Sequence, residues 1–429
     1  MLTGKPVTEN TTIPAQAKRQ IRAMFSRAWA LGRHCGLAAA LAMSLSPGTG
    51  SVAEDTATLS GSGTTLNIAT WGGAYGQSQE TAYFEPFAKE TGTTVSTEIY
   101  DGSLTKIKEM IDGTDTEVDV VDVSNGTLGV LCNDGLLEPI EASSLGAAPD
   151  GQSADQDFLS GGISSCGIAS VAWSEAIAFD RQAFTKAQPS QIGDLLDIKR
   201  FPGKRALPNG PRYTLELALL ADGVDPAEVY NQLATPEGVD HAFKALDKIK
   251  DNVLWWDNAQ DPISWLLEKK VSMAAGYSGR IFRAVVGDRQ RLGILWDGQI
   301  YDLDLWAIPK GAKNKDGAKR FITFATDPAR LAAQAQLIAY GPMRKSAITL
   351  VGKHPVIAVE MKDFLPTSPD NFKKALRFDE AWWNQHGEQL AKRFQEWKPP
   401  PPPPEADKPR EAEAAKGKGA RPSTSQAAP

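Results

Sequence analysis

Two carboxylates and an indole alternate along one short stretch of the chain, and these side chains are well suited to binding chemistry. Within residues 300–309, Asp302, Asp304 and Trp306 occupy every second position. In an extended strand this spacing places the three side chains on one face and the intervening residues on the other. Two interpretations remain open: an edge strand with a solvated polar face, or an acidic and aromatic floor that receives a cation.

Aromatic residues that directly follow predicted strands form a second group. They are Trp71, Tyr75, Tyr277 and Tyr340. In α/β folds ligands bind at the carboxyl ends of the strands, so we expect these side chains to line a cleft. Aromatic faces beside carboxylates recognise amines through cation–π contacts and charge-assisted hydrogen bonds.

The sequence lacks the usual signatures of catalysis. It contains neither a P-loop nor a dinucleotide-binding glycine pattern, and GYSGR at 276–280 fails the nucleophile-elbow pattern at its last position. His241, His354 and His386 are scattered and have no metal-ligand spacing. We therefore predict a binding protein with no enzyme activity, cofactor or metal. An exported hydrolase is the rival hypothesis.

The charge balance of the chain indicates which kinds of partner it can bind. The 429 residues include 41% hydrophobic and 23% charged residues, with a formal net charge of −6 at pH 7. Both ends of the chain carry more basic than acidic residues, so the part between them is more acidic than the whole. This argues against nucleic acid and is compatible with a cationic ligand. We expect a monomer.

The two ends of the chain differ from the middle. Residues 1–53 combine a basic segment, the apolar run GLAAALAMSL at 36–45 and SVA at 51–53, as in a cleavable export signal. We therefore predict a periplasmic protein. Residues 399–429 begin with six consecutive prolines and contain no aromatic residue, which predicts a disordered tail with a stiff start.

The middle of the chain alternates predicted strands and helices, which indicates an α/β fold with a mostly parallel sheet. The pattern starts again after an extended segment at 168–179, and a second extended segment covers 298–308. Two lobes joined by a hinge would explain this. We predict that 64–174 and 303–375 form the first lobe and 175–302 the second. Residues 376–398 form a C-terminal helix that packs on the second lobe.

Two cysteines remain outside the predicted signal. Cys132 and Cys166 are either two buried thiols or a disulfide. If the protein is exported, we favour the disulfide, because the compartment is oxidising.

Five motifs in this order resemble bacterial periplasmic solute-binding proteins of ABC importers, in particular the spermidine/putrescine-binding branch. They are IATWGGAY at 68–75, VDVVDVS at 118–124, LCNDGLLEPI at 131–140, AGYSGR at 275–280 and LDLWAIPKG at 303–311. The resemblance implies a two-lobed, type II-like periplasmic binding protein with a ligand cleft at a hinge. It also implies partners, namely a membrane permease and its ATPase subunits.

The resemblance further implies roles for individual residues. Trp71 and Tyr75 would stack on a methylene chain, and Asp304 would grip an ammonium group. Polar or aromatic cleft positions are matched by Ser124, Tyr277 and Tyr340.

The chain departs from the polyamine pattern in the loop after residue 207. Acidic residues are usual there, but Arg212 occupies this loop and the first acid is Glu216. Asp302 stands where the family often has an aromatic residue and would add the missing charge. A polyamine such as putrescine or spermidine is our first prediction. A monoamine, or an amino-acid-like zwitterion held by Arg212 and Asp304, is the alternative.

Overall fold

The protein is described by a computed structural model that covers residues 64–111, 117–287 and 291–398. The predicted signal segment and the proline-rich tail lie outside these ranges. The strands are β1 (Thr65–Thr70), β2 (Thr94–Ile99), β3 (Val120–Ser124), β4 (Gly167–Asp180), β5 (Arg205–Pro208), β6 (Val253–Trp256), β7 (Met273–Tyr277), β8 (Leu292–Ala307), β9 (Gly341–Pro342) and β10 (Leu376–Arg377).

Helices follow most of these strands, as an alternating α/β pattern predicts. They are α1 (Gly73–Gln79), α2 (Glu85–Thr91), α3 (Leu104–Ile111), α4 (Asn125–Asn133), α5 (Ala154–Asp157), α6 (Thr214–Ala221), α7 (Val229–Leu233), α8 (Pro236–Asp247), α9 (Asp261–Leu267), α10 (Ser278–Gly287), α11 (Lys315–Ala325), α12 (Pro328–Leu337), α13 (Lys345–Leu350) and α14 (Glu380–Trp397). A π-helical turn, Glu80–Phe84, joins α1 to α2. Within the described ranges, no helix is both long and apolar enough to cross a membrane.

One continuous sheet contains all of these strands, in the order β2-β1-β3-β8-β4-β7-β5-β6, with β9 beside β4 and β10 beside β8. The outer strands are parallel, since β1 pairs with β2 and β3 and β5 pairs with β6 and β7 in that sense. The central pairs β3–β8, β8–β4 and β4–β7 are antiparallel. The predicted α/β class with flanking helices is confirmed.

The two longest strands run side by side through the middle of the sheet. β8 is hydrogen-bonded to β3 on one edge and to β4 on the other, so the edge-strand interpretation of residues 300–309 is wrong. Its alternation is as expected: Leu303 and Leu305 face the apolar core, and Asp302 and Asp304 face the other way. All four are buried.

The apolar core is divided where these long strands cross the molecule. One cluster draws its buried residues from 66–172 and 301–347, and another draws them from 177–300 and 376–394. Strands β4 and β8 therefore each contribute to both cores. Helix α14 packs Trp383, Leu390 and Phe394 into the second core.

A disulfide joins the end of α4 to the start of β4. Cys132 is bonded to Cys166, with a Cα–Cα distance of 5.9 Å, which confirms the predicted pairing. The bond links segments 34 residues apart in the chain within the first core. Such a link stabilises the fold mainly by restricting the unfolded chain.

A fully buried ion pair fixes the segment after β9. The Arg344 Nε donates to Asp157 Oδ2 at 2.6 Å, and Arg344 also donates to the carbonyl oxygens of Thr326 and Gly146. Ser346 donates from its backbone nitrogen to Asp157 Oδ1 at 2.8 Å. Burial alone would raise the pKa of the Asp157 carboxyl, but the hydrogen bonds from Ser346 and Arg344 lower it.

We expect Asp157→Ala to lower the free energy of unfolding by about 3–5 kcal/mol, because it leaves the guanidinium of Arg344 buried without its counter-charge. Asp370→Ala is the matched control. Asp370 forms an ion pair with Lys373, but its side chain is 90% exposed, so its loss should change stability by less than about 1 kcal/mol. Urea unfolding measures both variants, and equal losses would contradict the structural role of the buried pair.

Candidate functional site

An acidic face forms where the four central strands lie side by side. In the antiparallel register Asp304 lies opposite Ser124 of β3, and Asp302 lies opposite Trp173 of β4. Directly opposed residues of an antiparallel pair project to the same side of the sheet. The face therefore brings together side chains from strands that are distant in the chain.

Two further acids lie on the same face. Asp122 of β3 is opposite Trp306, and Glu175 of β4 is opposite Tyr277 of β7. Asp122 and Glu175 were not among the predicted site residues. Glu175 could have been noticed as the one acid inside the mostly apolar run 168–179, and Asp122 as an acid within the motif VDVVDVS at 118–124.

Asp122 is held by a short relay of hydrogen bonds at the end of β1. Gln79 Nε2 donates to Asp122 Oδ2 at 2.6 Å, and Thr70 Oγ1 donates to Gln79 Oε1 at 2.5 Å. Asp122 Oδ1 has no hydrogen-bond partner among the described residues. The hydroxyl of Tyr75 and the indole nitrogen of Trp71 lie close to this carboxyl, without forming hydrogen bonds of good geometry.

The two aspartates of β8 are also poorly compensated. Asp304 Oδ1 accepts a hydrogen bond from Trp173 Nε1 at 3.3 Å, and Asp302 Oδ1 accepts one from the backbone nitrogen of Leu303 at 2.8 Å. Within the described ranges, neither aspartate forms an ion pair with a lysine or arginine, and neither does Asp122.

Burial makes the charged form of these carboxyls unfavourable. It raises the pKa of Asp122 and of Asp304, and the charge of Asp122 raises the pKa of Asp304 further. Burial also raises the pKa of Asp302 to about 7, with the charge of Glu380 contributing. A cation that entered this face would lower all three pKa values, because it would supply the missing opposite charge.

Aromatic rings surround the acidic face. Tyr75 and Tyr340 pack with their ring centroids 5.7 Å apart, and Tyr277 packs against Trp173 at 5.5 Å. Trp71 rests on Gly102, where an added Cβ would lie 2.2 Å from the indole ring. The predicted residues Trp71, Tyr75, Ser124, Tyr277, Asp302, Asp304 and Tyr340 thus occur together around one face.

The two remaining predicted residues have hydrogen-bond partners of their own. Glu216 is fully buried in the second core, where it accepts hydrogen bonds from Trp383 Nε1 and from the Tyr230 hydroxyl at 3.0 Å. Arg212 donates through Nη1 to both carboxylate oxygens of Glu380, at 2.7 and 2.9 Å. Its positive charge is therefore already paired.

Glu175 extends the acidic face toward the second core. Its side chain is fully buried, and neither carboxylate oxygen has a hydrogen-bond partner among the described residues. Burial raises the pKa of Glu175 to about 8, and the nearby charge of Glu216 adds to this effect. No group of three or more potential metal ligands occurs in the described part of the chain. Buried acids between aromatic rings suit an organic ammonium ion.

The sequence comparisons identify the family of this chain. Residues 82–359 match the family described as bacterial extracellular solute-binding protein. A GABA-binding protein of Pseudomonas aeruginosa is 38% identical over 332 residues, which span 77% of this chain and 90% of that protein. A spermidine/putrescine-binding periplasmic protein of Escherichia coli is 24% identical over 261 residues, or 60% of this chain and 72% of that protein.

Solved structures have the same fold. An ABC transporter substrate-binding protein from Bradyrhizobium japonicum superposes with a TM-score of 0.65 at 29% identity, covering 78% of this chain and all 100% of that one. A GABA receptor structure gives a TM-score of 0.63 at 27% identity, covering 80% of this chain and 100% of that one.

These relatives are transport proteins and not enzymes, which confirms the prediction of a non-catalytic role. The predicted kinship with ABC importers is also confirmed, but the polyamine branch is a weaker match than the GABA-binding protein. The chain belongs to the bacterial extracellular solute-binding proteins and is the substrate-binding component of an ABC transporter.

Proposed function

We propose that this protein captures a small zwitterionic amine in the periplasm, an ω-amino acid such as GABA, and delivers it to a membrane permease. The ligand's ammonium group binds Asp304, and Asp302 and Asp122 supply further negative charge. The observation that carries this proposal is the buried acidic face, whose carboxylates have no cationic partner within the described ranges. The aromatic and polar ligand contacts are Trp71, Tyr75, Ser124, Tyr277 and Tyr340.

The relatives support an amino-acid-like ligand over the polyamine that the sequence pattern put first. The GABA-binding protein is 38% identical to this chain, and the spermidine/putrescine-binding protein is 24% identical. A diamine is nevertheless the second candidate, because Glu175 offers an unpartnered carboxylate farther along the same face. Putrescine must therefore be included in any ligand screen.

We further propose that two lobes close over the ligand, one formed by 64–174 and 303–375 and the other by 175–302. The division of the apolar core supports this, because β4 and β8 pass from one core cluster to the other near these limits. Residues 376–398 would then pack on the second lobe through Trp383 and Phe394. Small changes of backbone torsion in the crossing strands would be enough to open the cleft.

We expect isothermal titration calorimetry of the full chain to give tighter binding for GABA than for butylamine, butyrate or putrescine, which have chains of similar length. Asp304→Asn should weaken GABA binding by about 2–5 kcal/mol, because it removes one partner of a desolvated charge pair. Asp370→Asn, on the exposed surface, should bind like the unmodified protein. Failure of the unmodified protein to bind any amine or amino acid would refute the proposed function.

GABA binding should weaken as the pH falls from 8 to 5.5. Burial raises the pKa of Asp302 to about 7, so this carboxyl takes up a proton in this interval, and burial raises the pKa of Asp304 as well. A protonated carboxyl cannot pair with an ammonium group. Each titrating group can change the affinity by up to about tenfold per pH unit below its pKa. Calorimetry in buffers of different ionisation enthalpy should detect proton release on binding near pH 7. Affinity that does not change with pH would contradict the proposed ammonium site.

In the ligand-free protein, the buried carboxyls should make the stability fall as the pH rises, whereas ligand affinity should increase with pH. An acid whose pKa is higher in the folded than in the unfolded state adds stability at low pH, and this stability is lost as the pH rises through the folded-state pKa. Asp302→Asn should therefore remove part of the loss of stability between pH 5 and pH 8. Thermal unfolding of the ligand-free variant and of the unmodified protein tests this, and identical pH profiles would show that Asp302 ionises freely.

A further inference from the structure

Within the described ranges, one edge of the central sheet is regular and uncovered. β2 forms this edge and pairs with β1 over all six of its residues in one continuous register. All of its side chains are exposed except that of Val95, which is half-buried. Proteins usually protect such an edge with lysine, proline, a bulge or a covering segment, because its free backbone groups can pair with another strand. The TVSTEI sequence of β2 contains neither lysine nor proline.

The opposite edge of the sheet is better protected. It is formed by β6, which has four residues, and each of them is buried or half-buried. Trp255 on this strand packs against Phe394 and Trp397 of α14, with ring centroids 5.3 and 6.0 Å apart. The ammonium group of Lys398 lies over the same indole ring. The exposure of β2 is therefore particular to its own edge.

The pairing with β1 determines which backbone groups of β2 face outward. The backbone nitrogen of Thr94 donates to the carbonyl oxygen of Thr64, so Thr94 is directed toward β1. In a parallel ladder every second residue directs both backbone groups to the neighbouring strand, and the residues between them direct both groups away. The residues that present a free N–H and a free C=O at this edge are therefore Val95, Thr97 and Ile99.

Two copies of β2 are complementary to each other in antiparallel order about Thr97. Thr97 of one copy then lies opposite Thr97 of the other, and Val95 lies opposite Ile99, so that each of these pairs exchanges two backbone hydrogen bonds. Opposed residues project to the same side, so Val95 covers Ile99, whose side chain is 68% exposed in the single chain. On the other side Glu98 lies opposite Ser96 and meets no second acid.

We propose that two copies of this protein associate through β2, with a two-fold axis at Thr97 that joins their sheets. The contact is isologous, so it closes at two copies. Six residues of strand span about 20 Å, and so short an interface is smaller than a stable dimer needs. The dimer is therefore weak and forms at high protein concentration, whereas the dilute protein is the expected monomer. The contact contains none of the buried acids, so it does not depend on the proposed ligand.

Sedimentation velocity of the full chain tests the contact between about 10 μM and about 1 mM, the range in which a small interface becomes occupied. The unmodified protein should associate. Thr97→Lys and Thr97→Glu each place like charges opposite each other at the axis, so either variant alone should associate about fivefold to tenfold more weakly. An equimolar mixture of the two pairs lysine with glutamate and should recover association. Thr349→Lys, at an exposed threonine on α13, is the matched control and should associate like the unmodified protein.

Three results would overturn the inference. An unmodified protein that stays monomeric at about 1 mM would exclude the dimer. Association that neither Thr97 variant weakens would assign it to another surface. A mixture that associates no better than its components would exclude an axis at Thr97. The Thr97 side chain is exposed, so both variants should keep the thermal unfolding midpoint and the ligand affinity of the unmodified protein.

Discussion

The burial of carboxylates without counter-charges is the constraint on which the rest of this structure depends. Asp122, Asp302, Asp304 and Glu175 project from adjacent strands into a region with little access to water. An unpaired buried charge costs several kcal/mol, so in the ligand-free protein these groups retain protons or remain strained. Packing alone offers no reason to collect four acids there. The arrangement lowers the stability of the empty protein, and a cation bound there would relieve this cost.

Two long strands, and not a loop, bring the buried carboxylates together. β4 and β8 are hydrogen-bonded to each other along most of their length, and both contribute to two separate apolar cores. Register irregularities interrupt the β4–β8 pairing between Ala169 and Val171 and between Glu175 and Ile177. A bulge increases local twist and bending, so the acidic face lies where the sheet is least regular. Ligand binding and any movement between the cores would therefore act on the same short stretch of backbone.

Local periodicity was sufficient to predict the strand that carries Asp302 and Asp304, and cysteine count together with export favoured the Cys132–Cys166 bond. The same reasoning could not identify the partners of that strand. Asp122 and Glu175 lie on the acidic face through pairings that link residues more than a hundred positions apart, and their local sequence does not indicate these pairings. The location of Glu216 was unpredictable for the converse reason. It lies near the expected loop in sequence, but helix α6 directs it toward Trp383 in the second core.

An acidic face between aromatic rings favours a ligand with an ammonium group, but it does not distinguish a diamine from an amino acid. That choice depends on what surrounds the other end of the ligand. Glu175 continues the negative charge along the face and has no hydrogen-bond partner among the described residues, while Arg212 is held by Glu380. An extended diamine would place its second ammonium group near Glu175, whereas the proposed zwitterion needs hydrogen-bond donors for its carboxylate. The surroundings of the second end of the ligand thus separate two ligand classes that the proposed ammonium site alone does not distinguish.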